Sequence, residues 1–222
     1  MQFALWISLV LPLAWIAMRF FGLDIGSGGG SGFGGSPSAN PAQELNHLFG
    51  QVAISAIVLN LWIGHLLAFH RSLTTRFPWS SSVLLTLKKF RRSLGVAGWL
   101  YLIIHIAFHF LIEAGLAEGF EAILHARYLW VGSLAALVLT ALALTSNNAS
   151  QRKLGRKWAK LHRLVYVAFF LAIAHTLMIE KADIPYFATL GIATALPFAV
   201  RLGFWALKQR KKTDARQKLP PN

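Results

Sequence analysis

Residues 94–112 read LGVAGWLYLIIHIAFHFLI, a stretch with no formal charge and with histidines at positions 105 and 109. At 1.5 Å per residue, a helix of about this length crosses the ~30 Å of hydrocarbon in a bilayer. The apolar residues do not alternate strictly, so a strand of a β-barrel is a poor reading. Similar blocks run at Phe3–Phe21, Leu48–Phe69, Tyr128–Leu144, Leu164–Ile179 and Tyr186–Leu207. The expected fold class is all-α membrane, a six-transmembrane-helix bundle. Composition agrees, because only 14% of the residues are charged, against roughly a quarter in soluble domains. Residues 1–210 form the expected membrane domain, and 211–222 a basic cytoplasmic tail. Phe3–Phe21 lacks a basic segment before it and a clear cleavage site after it, so it reads as a retained helix.

Charge supplies the orientation. The net charge is +14, which in a soluble protein would suggest nucleic acid. Here the basic residues flank the apolar blocks, and the positive-inside rule accounts for them. Six lie in 70–93, six in 145–163 and seven from Arg201 onward, leaving only Arg19, Arg127 and Lys181 on the other side. Both termini are therefore expected in the cytoplasm. The loops 22–46, 113–127 and 180–185 are expected outside, the first as a flexible loop carrying GSGGGSGFGGS at 26–36. The lipid bilayer is a partner by this reading and nucleic acid is not.

The chain has no cysteine. Thiolate zinc sites, iron–sulfur clusters and covalent c-type heme are excluded, which leaves histidine as the metal ligand. Polar groups at membrane depth are functional candidates. From the cytoplasmic boundary at Arg92, His105 lies 13 residues along; from Lys160, His175 lies 15 residues along. Their depths agree within ~3 Å at 1.5 Å per residue, so two helices can present imidazoles to opposite faces of a porphyrin. Interhelical hydrogen bonds are the alternative use of such residues. His162 precedes His175 by 13 residues, which on a straight helix is a rotation of about 220°. It should therefore serve a separate, cytoplasmic-side site, with His65 as the candidate partner. His109 could be an alternate ligand, His47 sits at the outer mouth, and His70 and His125 read as loop residues. Arg91 and Arg92 could clamp propionates or a flavin phosphate, or simply mark a helix end.

Arg91-Arg-Ser-Leu-Gly95, followed by His105, resembles the ferric-reductase-like transmembrane superfamily. Leu144-Thr-Ser146, Gln151-Arg-Lys-Leu-Gly-Arg-Lys-Trp158, Leu161-His-Arg-Leu-Val-Tyr166 and His175 are similar to the MsrQ family, as is Asn46-His-Leu-Phe-Gly50. That family comprises heme-binding membrane subunits of bacterial methionine-sulfoxide reductase systems. The resemblance spans roughly 41–208. It implies a six-helix protein of the bacterial inner membrane carrying heme b and flavin mononucleotide (FMN). It assigns metal or cofactor roles to His105, His162 and His175. Electrons would come from a cytoplasmic flavin reductase or membrane quinol. They would pass to a periplasmic molybdopterin-containing methionine-sulfoxide reductase (MsrP-type), the chain itself being a non-catalytic electron-transfer subunit. The glycine-rich insert, Trp62-Ile-Gly-His-Leu66, and His109 in place of a tyrosine depart from the family pattern. No nicotinamide or flavin domain follows the sixth block, which argues against a self-contained oxidase. The rival readings are a stand-alone quinol-linked b-type cytochrome and a small transporter with a histidine proton relay.

Overall fold

The computed structural model describes residues 2–20, 41–73, 81–179 and 184–217. Among these, every regular element is a helix: α1 (Gln2–Phe20), α2 (Pro41–Leu73), α3 (Ser81–Phe108), a π-helical turn (His109–Glu113), α4 (Leu116–His125), α5 (Arg127–Leu144), α6 (Asn148–Leu154), α7 (Arg156–Leu161), α8 (Leu164–Leu177) and α9 (Ile184–Gln217).

Among the described residues, four stretches are long and apolar enough to cross a membrane: 42–68, 83–113, 127–144 and 156–177. The first and sixth apolar blocks appear as the shorter segments Trp6–Ile16 and Ala188–Val200, within α1 and α9, each of which contains a proline. The membrane-bundle class holds, with a less uniform set of helices than six equal blocks suggested.

Several loop boundaries differ from the sequence reading. The basic segment 70–93 is mostly helix, since α2 continues to Leu73 and α3 begins at Ser81. From Ser81 to Leu94 there is no proline or glycine, and Lys and Arg are good helix formers. His70 accordingly lies in the last turn of α2. The expected 22–46 loop ends at 40, because Pro41 opens α2 at a position that tolerates the missing N–H; residues 22–40 lie outside the described residues. The 113–127 segment contains α4, so His125 is helical too. The 145–163 segment contains α6 and α7, separated by Gly155 at φ 49°. The tail continues as helix to Gln217.

The bundle is built around α2. In α2's membrane stretch 56% of the residues are buried, against 17% or fewer in the other three. A helix buried all round needs apolar residues all round, and α2 supplies Leu48, Val52, Ile54, Ile57, Leu61 and Leu67. Close approach of α3 depends on small residues: a Cβ on Gly98 would come 2.9 Å from that of Ala56. Polar side chains tie the remaining helices. The Tyr101 hydroxyl on α3 donates to the Leu9 carbonyl of α1. The Trp99 indole N–H donates to Thr140 Oγ1 of α5 at 3.1 Å.

A cavity lined by two histidines

Between α2, α3, α5 and α8 lies a cavity of about 840 Å³, within the roughly 300–1,000 Å³ typical of ligand sites. His105 from α3 and His175 from α8 both line it, as the equal-depth reading requires.

The two rings are held by the same device. His105 Nδ1 lies 3.0 Å from the Asn46 carbonyl oxygen on α2. His175 Nδ1 lies 2.8 Å from the Tyr128 carbonyl oxygen on α5. A carbonyl only accepts, so in each ring Nδ1 carries the proton and Nε2 keeps a lone pair. That tautomer is the one an imidazole needs to bind iron through Nε2. Each carbonyl is followed four residues later by a glycine. A Cβ on Gly50 would meet His105 Nδ1 and Cε1 at 3.3 Å. One on Gly132 would meet His175 Nδ1 at 2.7 Å and Cε1 at 2.9 Å. The glycines thus make the recesses in which the rings lie. The spacing Asn46-x-x-x-Gly50 and Tyr128-x-x-x-Gly132 was visible in the sequence, but its meaning needed the neighbouring helix.

The wall beside His105 adds a polar group that the sequence had assigned to a loop. The π turn widens α3 at His109–Glu113, closing with Ala114 N–H donating to the His109 carbonyl; such turns recur at functional sites. It brings Glu113 into the cavity wall, where Asn46 Nδ2 donates to Oε2 at 2.8 Å and His109 Nδ1 lies 3.3 Å from the same oxygen. Glu113 Oε1, His109 Nε2 and Asn46 Oδ1 are buried without hydrogen-bond partners. Orphaned polar atoms in a cavity wall suit a site that receives a polar-edged ligand. Paired imidazole lone pairs, apolar walls, two glycine recesses and a polar rim all fit a heme.

His162 is elsewhere. It stands at the two-residue turn between α7 and α8, within the 156–177 stretch. Its Nδ1 donates to the Trp158 carbonyl at 3.1 Å, and Nε2 lies 3.3 Å from Ser146 Oγ. The ring stacks on Trp158 at a centroid distance of 3.9 Å. Both nitrogens are therefore turned toward the protein. Ser146 Oγ also lies 2.7 Å from the Leu142 carbonyl, so its single hydrogen has two claimants.

The arginines are engaged as well. Arg91 Nε donates to Asn60 Oδ1 at 2.8 Å, and Asn60 Nδ2 returns a bond to the Arg91 carbonyl. Arg92 donates to the Ser146 carbonyl and to Asn148 Oδ1, each at 2.6 Å. This places a cation at the C-terminus of α5, where the helix dipole favours it. His65 is buried on α2 with its ring 6.2 Å from that of Tyr166. His47 is exposed at the cavity mouth.

The family model described as "Ferric reductase like transmembrane component" matches residues 49–173. Among similar curated proteins is the "Protein-methionine-sulfoxide reductase heme-binding subunit MsrQ" of Yersinia pseudotuberculosis serotype O:1b (strain IP 31758). It is 31% identical over 205 residues, covering 90% of this chain and 89% of the relative. The protein of the same name from Yersinia pestis (strain Pestoides F) is 31% identical over 205 residues, covering 90% and 87%.

Proposed function

The chain belongs to the ferric-reductase-like transmembrane family, among the MsrQ heme-binding subunits, and from that premise we propose that it is a heme-b electron-transfer subunit of a methionine-sulfoxide reductase system. The observation that carries this reading is the pair His105 and His175 on one cavity, each with Nδ1 tied to a carbonyl of a neighbouring helix. His105 and His175 would hold the heme iron through their Nε2 atoms. The two carbonyl bonds set ring orientation and raise ligand basicity. The apolar walls would keep water from the heme, and Asn46, His109 and Glu113 add polar groups to one wall. A heme bound there supplies one-electron chemistry at a depth suited to handing electrons to the outer side.

The acceptor is the periplasmic molybdopterin-containing methionine-sulfoxide reductase, and the donor is membrane quinol or a cytoplasmic flavin reductase. His162, with Trp158 and Ser146, belongs to the end of the bundle where electrons enter, with both termini cytoplasmic. Arg91 Nε is bound to Asn60, and Arg92 Nε and Nη1 to Ser146 and Asn148; a guanidinium carries five N–H donors, so a flavin phosphate would be met by the other Nη groups.

Visible absorption spectra of the purified protein, oxidised and reduced, test the assignment. Low-spin bands are expected in the parent and lost in His105→Ala and in His175→Ala. Normal spectra in both variants would sink it. Adding the reductase and methionine sulfoxide to the reduced protein should reoxidise the heme. Failure of reoxidation alone would favour a stand-alone cytochrome.

A further inference from the structure

We propose that α4 is an in-plane interfacial helix, its apolar stripe embedded in the bilayer surface, and that it walls the heme cavity off from lipid and water. The helix is short, ten residues between the π turn and α5. Both of its neighbours are membrane-crossing stretches, so α4 lies at one membrane boundary whichever way the chain is inserted.

Its side chains fall into three sectors. At 100° per residue, Gly119 and Ile123 lie within about 40° of each other. This sector faces the protein. Gly119 is buried, and a Cβ there would come 2.7 Å from the Phe110 ring; Ile123 lines the cavity. Next round the helix come Leu116, Phe120 and Leu124, spanning about 80°. They are 59%, 63% and 67% exposed. Glu121, His125 and Glu118 follow within about 60° of one another, and all three are exposed.

Three sectors, packed, apolar and charged, are what a helix needs when it lies against a bundle at a lipid–water boundary. A helix on a water-facing surface would need only two. The apolar sector also continues an existing lipid-facing surface. Leu111 and Ile112 on the adjoining π turn are 67% and 54% exposed. Trp130, in the first turn of α5, is 56% exposed, and exposed tryptophan marks the headgroup level. The bilayer is therefore the occupant that the surroundings select. Because Ile123 lines the cavity, seating α4 in the interface closes the cavity rim. Loosening it would open the heme to solvent.

The chain contains no cysteine, so single cysteines can be introduced and spin-labelled without background. Leu116→Cys, Phe120→Cys and Leu124→Cys report the stripe; Glu118→Cys, Glu121→Cys and His125→Cys report the opposite face. Each labelled protein, heme-loaded, is placed in phosphatidylcholine–phosphatidylglycerol liposomes, and collisions with oxygen and with a water-soluble nickel chelate are measured. The stripe should lose nickel collisions and gain oxygen collisions, with the reverse at 118, 121 and 125. Nickel access at all six positions would overturn the proposal. So would protection of the stripe that appears only when the reductase is added, which would make it a protein-docking face. Three positions per face keep the test decisive if one variant does not fold. It rests on membrane placement and not on heme ligation, so loss of the heme assignment would leave its outcome readable.

Discussion

The two walls of the cavity use one design in two settings. On one wall, His105 of α3 rests against α2 through the Asn46 carbonyl and Gly50. On the other, His175 of α8 rests against α5 through the Tyr128 carbonyl and Gly132. The first wall belongs to the buried helix of the bundle; α5 and α8 are 11% buried in their membrane stretches. The ring gap is also tighter on the second wall, 2.7 Å against 3.3 Å from a built Cβ. Only the first wall carries the polar rim of Asn46, His109 and Glu113. Ligand geometry can thus be repeated by a local backbone-and-glycine device while the surroundings differ. Any asymmetry in heme behaviour should then trace to the surroundings.

The largest expected effect treats the walls as equals. His105→Ala and His175→Ala should each abolish the low-spin absorbance. A spectrum surviving in one but not the other would break the comparison at its base.

The glycines separate the walls. Gly132→Ala must displace the His175 ring, and over-packing of this kind costs about 1–3 kcal/mol. Heme content measured against protein should fall several-fold. Gly50→Ala needs a shift of only a few tenths of an ångström and should retain most of its heme. Equal losses would show that the difference in gap does not matter.

The polar rim sharpens the comparison without disturbing ligation. Glu113 is a half-buried acid on the His105 wall alone, and a negative charge there would favour ferric over ferrous heme. Glu113→Gln should leave heme content unchanged and raise the midpoint potential. A Coulomb effect on the order of 1 kcal/mol corresponds to roughly 40 mV for one electron, readable in a redox titration. A fall in potential would contradict the assignment of that rim as electrostatic.

The smallest effects on heme content are expected outside both walls. His162→Ala should leave the bound heme in place and slow its reduction by quinol in a stopped-flow time course. Loss of all heme from a folded protein would mean that His162 holds the cavity after all. His47→Ala, at an exposed position, should change neither heme content nor rate.

The apolar blocks and the basic flanks determined by themselves that this is a helical membrane protein, and the absence of cysteine made its histidines the candidate metal ligands. Depth counting along two helices was enough to put His105 and His175 at one level, because rise per residue is fixed by backbone hydrogen bonding. The motifs around Leu161–Tyr166 identified the family for the same local reason. The tertiary structure decided what depends on neighbours. The carbonyls that orient the rings come from helices 59 and 47 residues away in sequence, and no local pattern states which helix a carbonyl will face. Glu113 looked like a loop acid until the π turn rotated it into the wall. His162 could be placed by depth from the sequence; only the structure shows its ring bonded to Trp158 and Ser146 at the turn between α7 and α8. Arg91 and Arg92 could be read from sequence as phosphate clamps or helix-end markers; the structure adds Asn60, Ser146 and Asn148 as acceptors for part of each guanidinium. Periodicity and charge set which segments enter the bilayer; packing between segments set which polar atoms remain available to a ligand.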